Sequence, residues 1–222
     1  MVLCVTITPV SFIDPMGLRQ SLADFLKNRN NLNYDEPIDQ GNSIFDRIVP
    51  RTEWGAIDVA YPKSQESWEM DIEKNEIVIH HSANFYKGPM WIDLNHYFKQ
   101  WGGVGYHFMI DSKGTIYEGR PLDMKDVHVE NANTGKIGIV LFGNFDPNSK
   151  ISGKPSSQQL ESMWALAAVL QEDYGIERLT GHKDFKPTTV CPGSILYDII
   201  YGTGEIHLSQ YGRAHGGKGR GF

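Results

Sequence analysis

The chain has 222 residues, 40% of them hydrophobic and 22% charged, with a formal net charge of −6. That is long enough for one sizeable domain with a real core plus an extension. The acidic balance and the lack of a basic run exclude an electrostatic footprint for nucleic acid, and no apolar stretch reaches the roughly 20 residues needed to span a bilayer.

Residues 1–10 are apolar but carry no basic n-region, so they read as a strand or arm rather than a secretory signal. Residues 16–28 have helical spacing at Leu18, Leu22 and Phe25, and the polar run 28–43 reads as a linker. Residues 1–48 are therefore expected to form a separate extension. From Ile48 onward the pattern is mixed α and β. Glu76 to His81 is a β-branched run suited to a buried strand. Met90 to Trp101 reads as a helix with Trp91, Leu94, His96, Tyr97, Phe98 and Trp101 on its apolar face, ended by Gly102-Gly103.

Tyr106–Asp111 and Thr115–Glu118 flank Ser112-Lys113-Gly114 as a hairpin, and Ile137 to Phe142 is another apolar strand. Ser156 to Tyr174 is the strongest helix. Ser156 or Ser157 can cap it, Leu160, Met163, Trp164, Ala167 and Leu170 form a core stripe, and Gly175 stops it. Arg178 to Thr180 leads into a histidine- and cysteine-bearing segment, Ser194 to Ile200 makes a short final helix, and the glycine-rich basic tail 212–222 reads as disordered. The domain division expected is 1–48 extension, 49–205 catalytic domain and 206–222 tail.

The segment Gly181 to Gly193 sets His182, Thr189 and Cys191 in one short stretch. Imidazole and thiolate are both good zinc ligands, and Pro192-Gly193 supplies a turn that can fix the thiol's direction. Other readings of Cys191 are a small buried hydrophobe or a disulfide with Cys4, the only other cysteine, although so few cysteines argue against a disulfide framework. The C-x-x-C pairs of structural zinc modules are absent, so an open, catalytic site is the better expectation. The strand Ile77-Val78-Ile79-His80-His81 is the best source of a third donor. Adjacent strand residues face opposite sides, so only one of His80 and His81 reaches a given site.

Six motifs in order resemble the type-2 N-acetylmuramoyl-L-alanine amidases, the family of phage amidase lysozymes and animal peptidoglycan recognition proteins. They are Arg51-Thr52-Glu53-Trp54-Gly55-Ala56, Ile79-His80-His81-Ser82-Ala83, Val104-Gly105-Tyr106-His107-Phe108, Ile116-Tyr117-Glu118-Gly119-Arg120, Ile137-Gly138-Ile139 through Phe145, and Gly181-His182-Lys183-Asp184 through Gly193. The resemblance spans roughly 48–201. It implies an α/β fold, a mixed central sheet flanked by helices, with Zn2+ held by His80, His182 and Cys191. Tyr106 and Thr189 fall at its catalytic positions, where some phage relatives carry lysine in place of the threonine. His81 becomes a packing or groove residue, and His128, Asn133 and Arg120 lie where the family has substrate-groove contacts. The cytoplasmic recycling branch, with its glutamate and aspartate, fits less well: Val140 and Cys191 stand there.

The implied activity is hydrolysis of the amide joining N-acetylmuramic acid to L-alanine in peptidoglycan, at the cell wall in the periplasm or outside the cell, reached without an evident signal peptide. Two rivals remain. One is a module that binds peptidoglycan without cutting it, although such members usually lack the cysteine. The other is the same amidase used as an antibacterial toxin, with 1–48 as a delivery handle and an inhibitor as partner.

Overall fold

The computed structural model describes residues 44, 48–57, 69–85 and 88–202. The expected arm, amino-terminal helix, linker and glycine-rich tail lie outside these.

The sheet is built from β1 (Ile48–Val49), β2 (Glu76–His81), β3 (Phe108–Ile110), β4 (Ile116–Glu118), β5 (Lys136–Leu141) and β6 (Arg178–Gly181). Its six strands run in the order β1-β4-β3-β5-β2-β6. Only the β3–β4 hairpin is antiparallel; β1–β4, β3–β5, β5–β2 and β2–β6 are parallel. The sheet is therefore mixed, as expected. Asp111 closes the hairpin by accepting the N–H groups of Lys113 and Thr115 on one carboxylate oxygen, both at 2.9 Å.

All six residues of β2 are buried, as a central parallel strand covered on both faces requires. Alternation along the strands sorts their side chains onto two cores. Ile77 and Ile79 of β2, Phe108 and Ile110 of β3, and Ile137, Ile139 and Leu141 of β5 pack with α3 (Ser157–Tyr174) and α4 (Ser194–Gly202) through Met163, Trp164, Ala167, Leu170, Leu196 and Ile200. The intervening residues Met109 and Val140 face the other side, with Trp54, Ile92, Val104 and Phe142. Each fully buried side chain of this size stabilises the fold by about 1.5–3 kcal/mol relative to exposure.

Ser156 is the residue that caps α3: its side chain accepts the Gln159 N–H, and Gly175 closes the helix in the left-handed region at φ 64°. Gln159 is itself buried. Its Nε2 donates to the Ile110 and Phe142 carbonyls, at 2.9 and 3.1 Å, tying α3 to the ends of β3 and β5.

The helix α2 (Pro89–Phe98) departs from the sequence expectation. It ends at Phe98, short of Trp101 and the glycine pair. Its inward face carries Ile92, Asp93 and His96, while Trp91, Tyr97 and Phe98 are exposed. The reason is polar. Asp93 accepts the backbone N–H groups of Ile57 and Val104 at 2.7 and 2.6 Å, and His96 Nδ1 accepts that of Gly105 at 2.9 Å. Those bonds orient the helix more strongly than its aromatic stripe does. Helix α1 (Arg51–Trp54) packs on β4, with Trp54 Nε1 donating to the Glu118 carbonyl at 2.9 Å.

Candidate metal centre and its surroundings

His80 and His81 end the central strand and point to opposite faces, as the pleat dictates. His80 shares the face of its register partner Val140. His182 is the first residue after β6, which pairs with β2 up to Ile79↔Gly181, so parallel pairing delivers it beside His80. Their ring centroids are 4.6 Å apart. Cys191 arrives by the loop that follows.

That loop is held at several points. Asp184 accepts the Gly181 N–H at 2.7 Å, the Tyr197 hydroxyl at 2.7 Å and the Tyr201 hydroxyl at 2.6 Å, fixing the turn after His182 onto α4. Gly193, at φ 85°, lies so close to Phe145 that a Cβ would sit 2.3 Å from a backbone carbon; no other residue fits there. Phe145 also receives the Ile195 N–H at 3.1 Å and donates its own to Nδ1 of His81 at 3.1 Å. His81 thus braces the loop from the other side of β2. It is buried against Phe145 rather than set in a groove.

The ligand atoms of His80, His182 and Cys191 all lie within 4.8 Å of one another. His80 Nδ1 and Cys191 Sγ are 3.5 Å apart. A tetrahedral zinc with bonds of roughly 2.0–2.1 Å to nitrogen and 2.3 Å to sulfur sets such a pair about 3.6 Å apart. Nε2 of His182 is buried without a hydrogen-bond partner, which is costly unless a further group satisfies it. The donors and their spacing fit zinc.

The electrostatics point the same way. Burial, then the imidazoles of His128 and His182, hold the pKa of His80 well below the ordinary histidine range. Burial, then His128 and Lys186, lower that of His182 to about 4. Both rings are therefore neutral at pH 7, the form that binds metal. Burial pushes the Cys191 thiol up to about 12, opposed by the His81 backbone N–H that donates to Sγ at 3.4 Å. A divalent cation reverses that preference by stabilising the thiolate.

Tyr106 is half-buried beside the centre, its ring 5.1 Å from that of His80. Thr189 is also half-buried, and its Oγ1 accepts the Cys191 N–H at 3.2 Å. That bond uses an oxygen lone pair and leaves the hydroxyl proton available to donate.

The expected groove residues are placed differently. The side chain of His128 is fully buried, its Nδ1 2.6 Å from Nε2 of His80. Asn133 Oδ1 accepts the His128 and Val129 N–H groups at 3.0 and 2.7 Å, shaping the loop that carries His128. Arg120 is 1% exposed and lies in the interior, correcting its expected place in a groove. Its guanidinium donates to the carbonyls of Val104, Lys125 and Trp101 at 3.2, 3.1 and 2.6 Å. Where three loops converge with inward-facing carbonyls, the five-donor guanidinium is the side chain that satisfies them.

Two neighbours of the centre escaped the sequence reading of the site. His96 packs at a tilt on Tyr106, centroids 5.5 Å apart, and holds Gly105 through its Nδ1. Oδ2 of Asp126 meets Nε2 of His128 in the interior. An acidic residue two positions before a histidine was the available signal for it.

The profile of the N-acetylmuramoyl-L-alanine amidase family matches residues 71–194, a span that holds His80, His182, Cys191, Tyr106, Thr189, His128 and Asp126. The chain belongs to the N-acetylmuramoyl-L-alanine amidase family. Peptidoglycan recognition protein 1 of Mus musculus is 30% identical over 169 residues, covering 69% of this chain and 85% of its own length. The endolysin of Enterobacteria phage K11 is 29% identical over 143 residues, covering 63% of this chain and 93% of the endolysin. Among solved structures, N-acetylmuramoyl-L-alanine amidase LysC from Clostridium intestinale matches with a TM-score of 0.58 at 30% identity, covering 70% of this chain and 97% of LysC. The mixed sheet with flanking helices is thus the fold of this amidase family.

Proposed function

We propose that the chain is a zinc-dependent peptidoglycan hydrolase that cleaves the amide between N-acetylmuramic acid and L-alanine, with 49–205 as the catalytic domain. The observation that carries this reading is the convergence of His80, His182 and Cys191, whose donor atoms lie within 4.8 Å of one another in a chain of the amidase family. Relatives named as endolysins and as an N-acetylmuramoyl-L-alanine amidase support the choice of reaction and a site of action at the cell wall.

Three protein donors leave a tetrahedral ion one open position. Zinc, when bound, supplies Lewis acidity toward the scissile carbonyl and acidifies water at that position. The chain's own residues do the rest. His80 and His182, kept neutral by burial, hold their lone pairs ready for the ion. Tyr106 presents a phenol that can donate to the oxygen on which negative charge develops. Thr189, whose oxygen accepts the Cys191 N–H, keeps a hydroxyl proton that it can donate. Neither carries charge, so both act by hydrogen bonding and orientation rather than by electrostatic clamping.

A peptidoglycan-binding module without hydrolysis is the reading that the recognition-protein relatives favour. The complete donor set, Cys191 included, weighs against it. The test is digestion of purified peptidoglycan with and without chelator, followed by mass spectrometry of the products. A new L-alanine amino terminus that disappears with chelator is expected. Stoichiometric zinc with no released peptide would transfer the assignment to the binding module.

A further inference from the structure

We propose that Asp126 is a positioning residue that fixes, through His128, which ring nitrogen of His80 is presented to the metal. This rests on the zinc reading above. The side chains of Asp126 and His128 are both fully buried, and Oδ2 of Asp126 pairs with Nε2 of His128. His107 also approaches that oxygen, its Nδ1 3.3 Å away, but it is committed elsewhere. Its Nδ1 accepts the Gly138 N–H at 3.1 Å, so its proton is on Nε2, which donates to the Met124 carbonyl at 3.0 Å.

An ionised carboxylate only accepts hydrogen bonds. Asp126 therefore needs a proton on Nε2 of His128, which leaves Nδ1 as the nitrogen that accepts. That nitrogen lies 2.6 Å from Nε2 of His80. Two ring nitrogens so close share one proton, and it must belong to His80. The other nitrogen of His80, Nδ1, is then bare, and it is the one that faces Cys191 Sγ at 3.5 Å. A ligating histidine needs a bare nitrogen on the metal side and a fixed donor on the other. Asp126 sets both from two rings away. Gly138 lets the device fit: a Cβ there would come within 2.8 Å of the His128 ring.

The test combines two measurements on the full chain. Long-range proton–nitrogen NMR spectra of the metal-free wild type should show Nε2–H tautomers for both His80 and His128. In Asp126→Asn the amide can turn its NH2 toward His128, so both rings should shift toward Nδ1–H while His107 stays unchanged. Zinc affinity, measured by competition with a chelator, should fall about 10-fold or more, within the range for hydrogen-bond partners of metal-bound histidine. An Nδ1–H tautomer of His128 in the wild type overturns the proposal even if the variant does not fold. Unchanged tautomers and affinity in a folded Asp126→Asn protein overturn it too. If the wild type takes up no zinc, the zinc reading fails, and the wild-type spectra still judge the relay.

Discussion

The backbone N–H of His81 points at the sulfur of Cys191 across 3.4 Å. One strand thus serves the site twice: His80 offers a ring nitrogen, and the next peptide group offers a donor that favours the thiolate. Cys191→Ser keeps the size and hydrogen-bonding pattern but replaces the soft sulfur with a weakly ligating hydroxyl. The expected result is loss of bound zinc after purification and cleavage of peptidoglycan at background rate. Elemental analysis alongside a product assay checks it; a Cys191→Ser protein with full zinc and wild-type turnover contradicts it.

Tyr106→Phe removes one hydroxyl beside His80 and nothing from the donor set. Turnover should fall by about 10²–10³, the loss typical of one oxyanion donor, with zinc content unchanged and KM little affected. Thr189→Val should act in the same direction. A steady-state comparison of kcat and KM decides, and a wild-type kcat in Tyr106→Phe would remove the phenol from the mechanism.

Arg120→Met tests whether this guanidinium is structural. The buried carbonyl of Val104 and the half-buried ones of Lys125 and Trp101 lose their donor, at up to about 1–3 kcal/mol for a buried one left unsatisfied. The variant should unfold at markedly lower urea concentration, while KM of the folded fraction stays near that of the wild type. A raised KM with unchanged stability would return Arg120 to the substrate groove.

The convergence of His80, His182 and Cys191 was legible from motif order, since it follows from which segments carry histidine and cysteine. Helix α3 was legible for the same kind of reason: Ser156 and Gly175 are local signals, and its stripe is purely apolar. What stayed hidden was polar burial. Asp93 and His96 turn α2 by hydrogen bonds to Ile57, Val104 and Gly105, and hydrophobic periodicity does not register a buried carboxylate. Arg120 and Asp126 were hidden likewise, since their partners are backbone carbonyls and a histidine that only the tertiary fold brings near.

Stability of the metal-free protein should depend on pH in a definite sense. Burial, then Lys99 and Arg120, lower the pKa of His96 to about 3, and burial lowers that of His81 to about 4. The unfolded chain binds protons on these rings below about pH 6.5, where the folded chain does not. Their contribution is therefore fully present above that pH and is lost as pH falls toward 4, with His96 alone contributing on the order of 1 kcal/mol per pH unit. Urea titrations in chelator should give a lower midpoint at pH 5 than at pH 7.5; equal midpoints would contradict the buried neutral histidines.

The placement of His182 and Cys191 after β6 has a temporal consequence. The strand that delivers them pairs with β2 from a point in the chain about a hundred residues later, so His80 is made well before its partners. A growing chain on the ribosome has no donor set to load until β6 has docked and the Gly193 turn has seated on Phe145. A chain that misplaces β6 does not bring His182 and Cys191 beside His80.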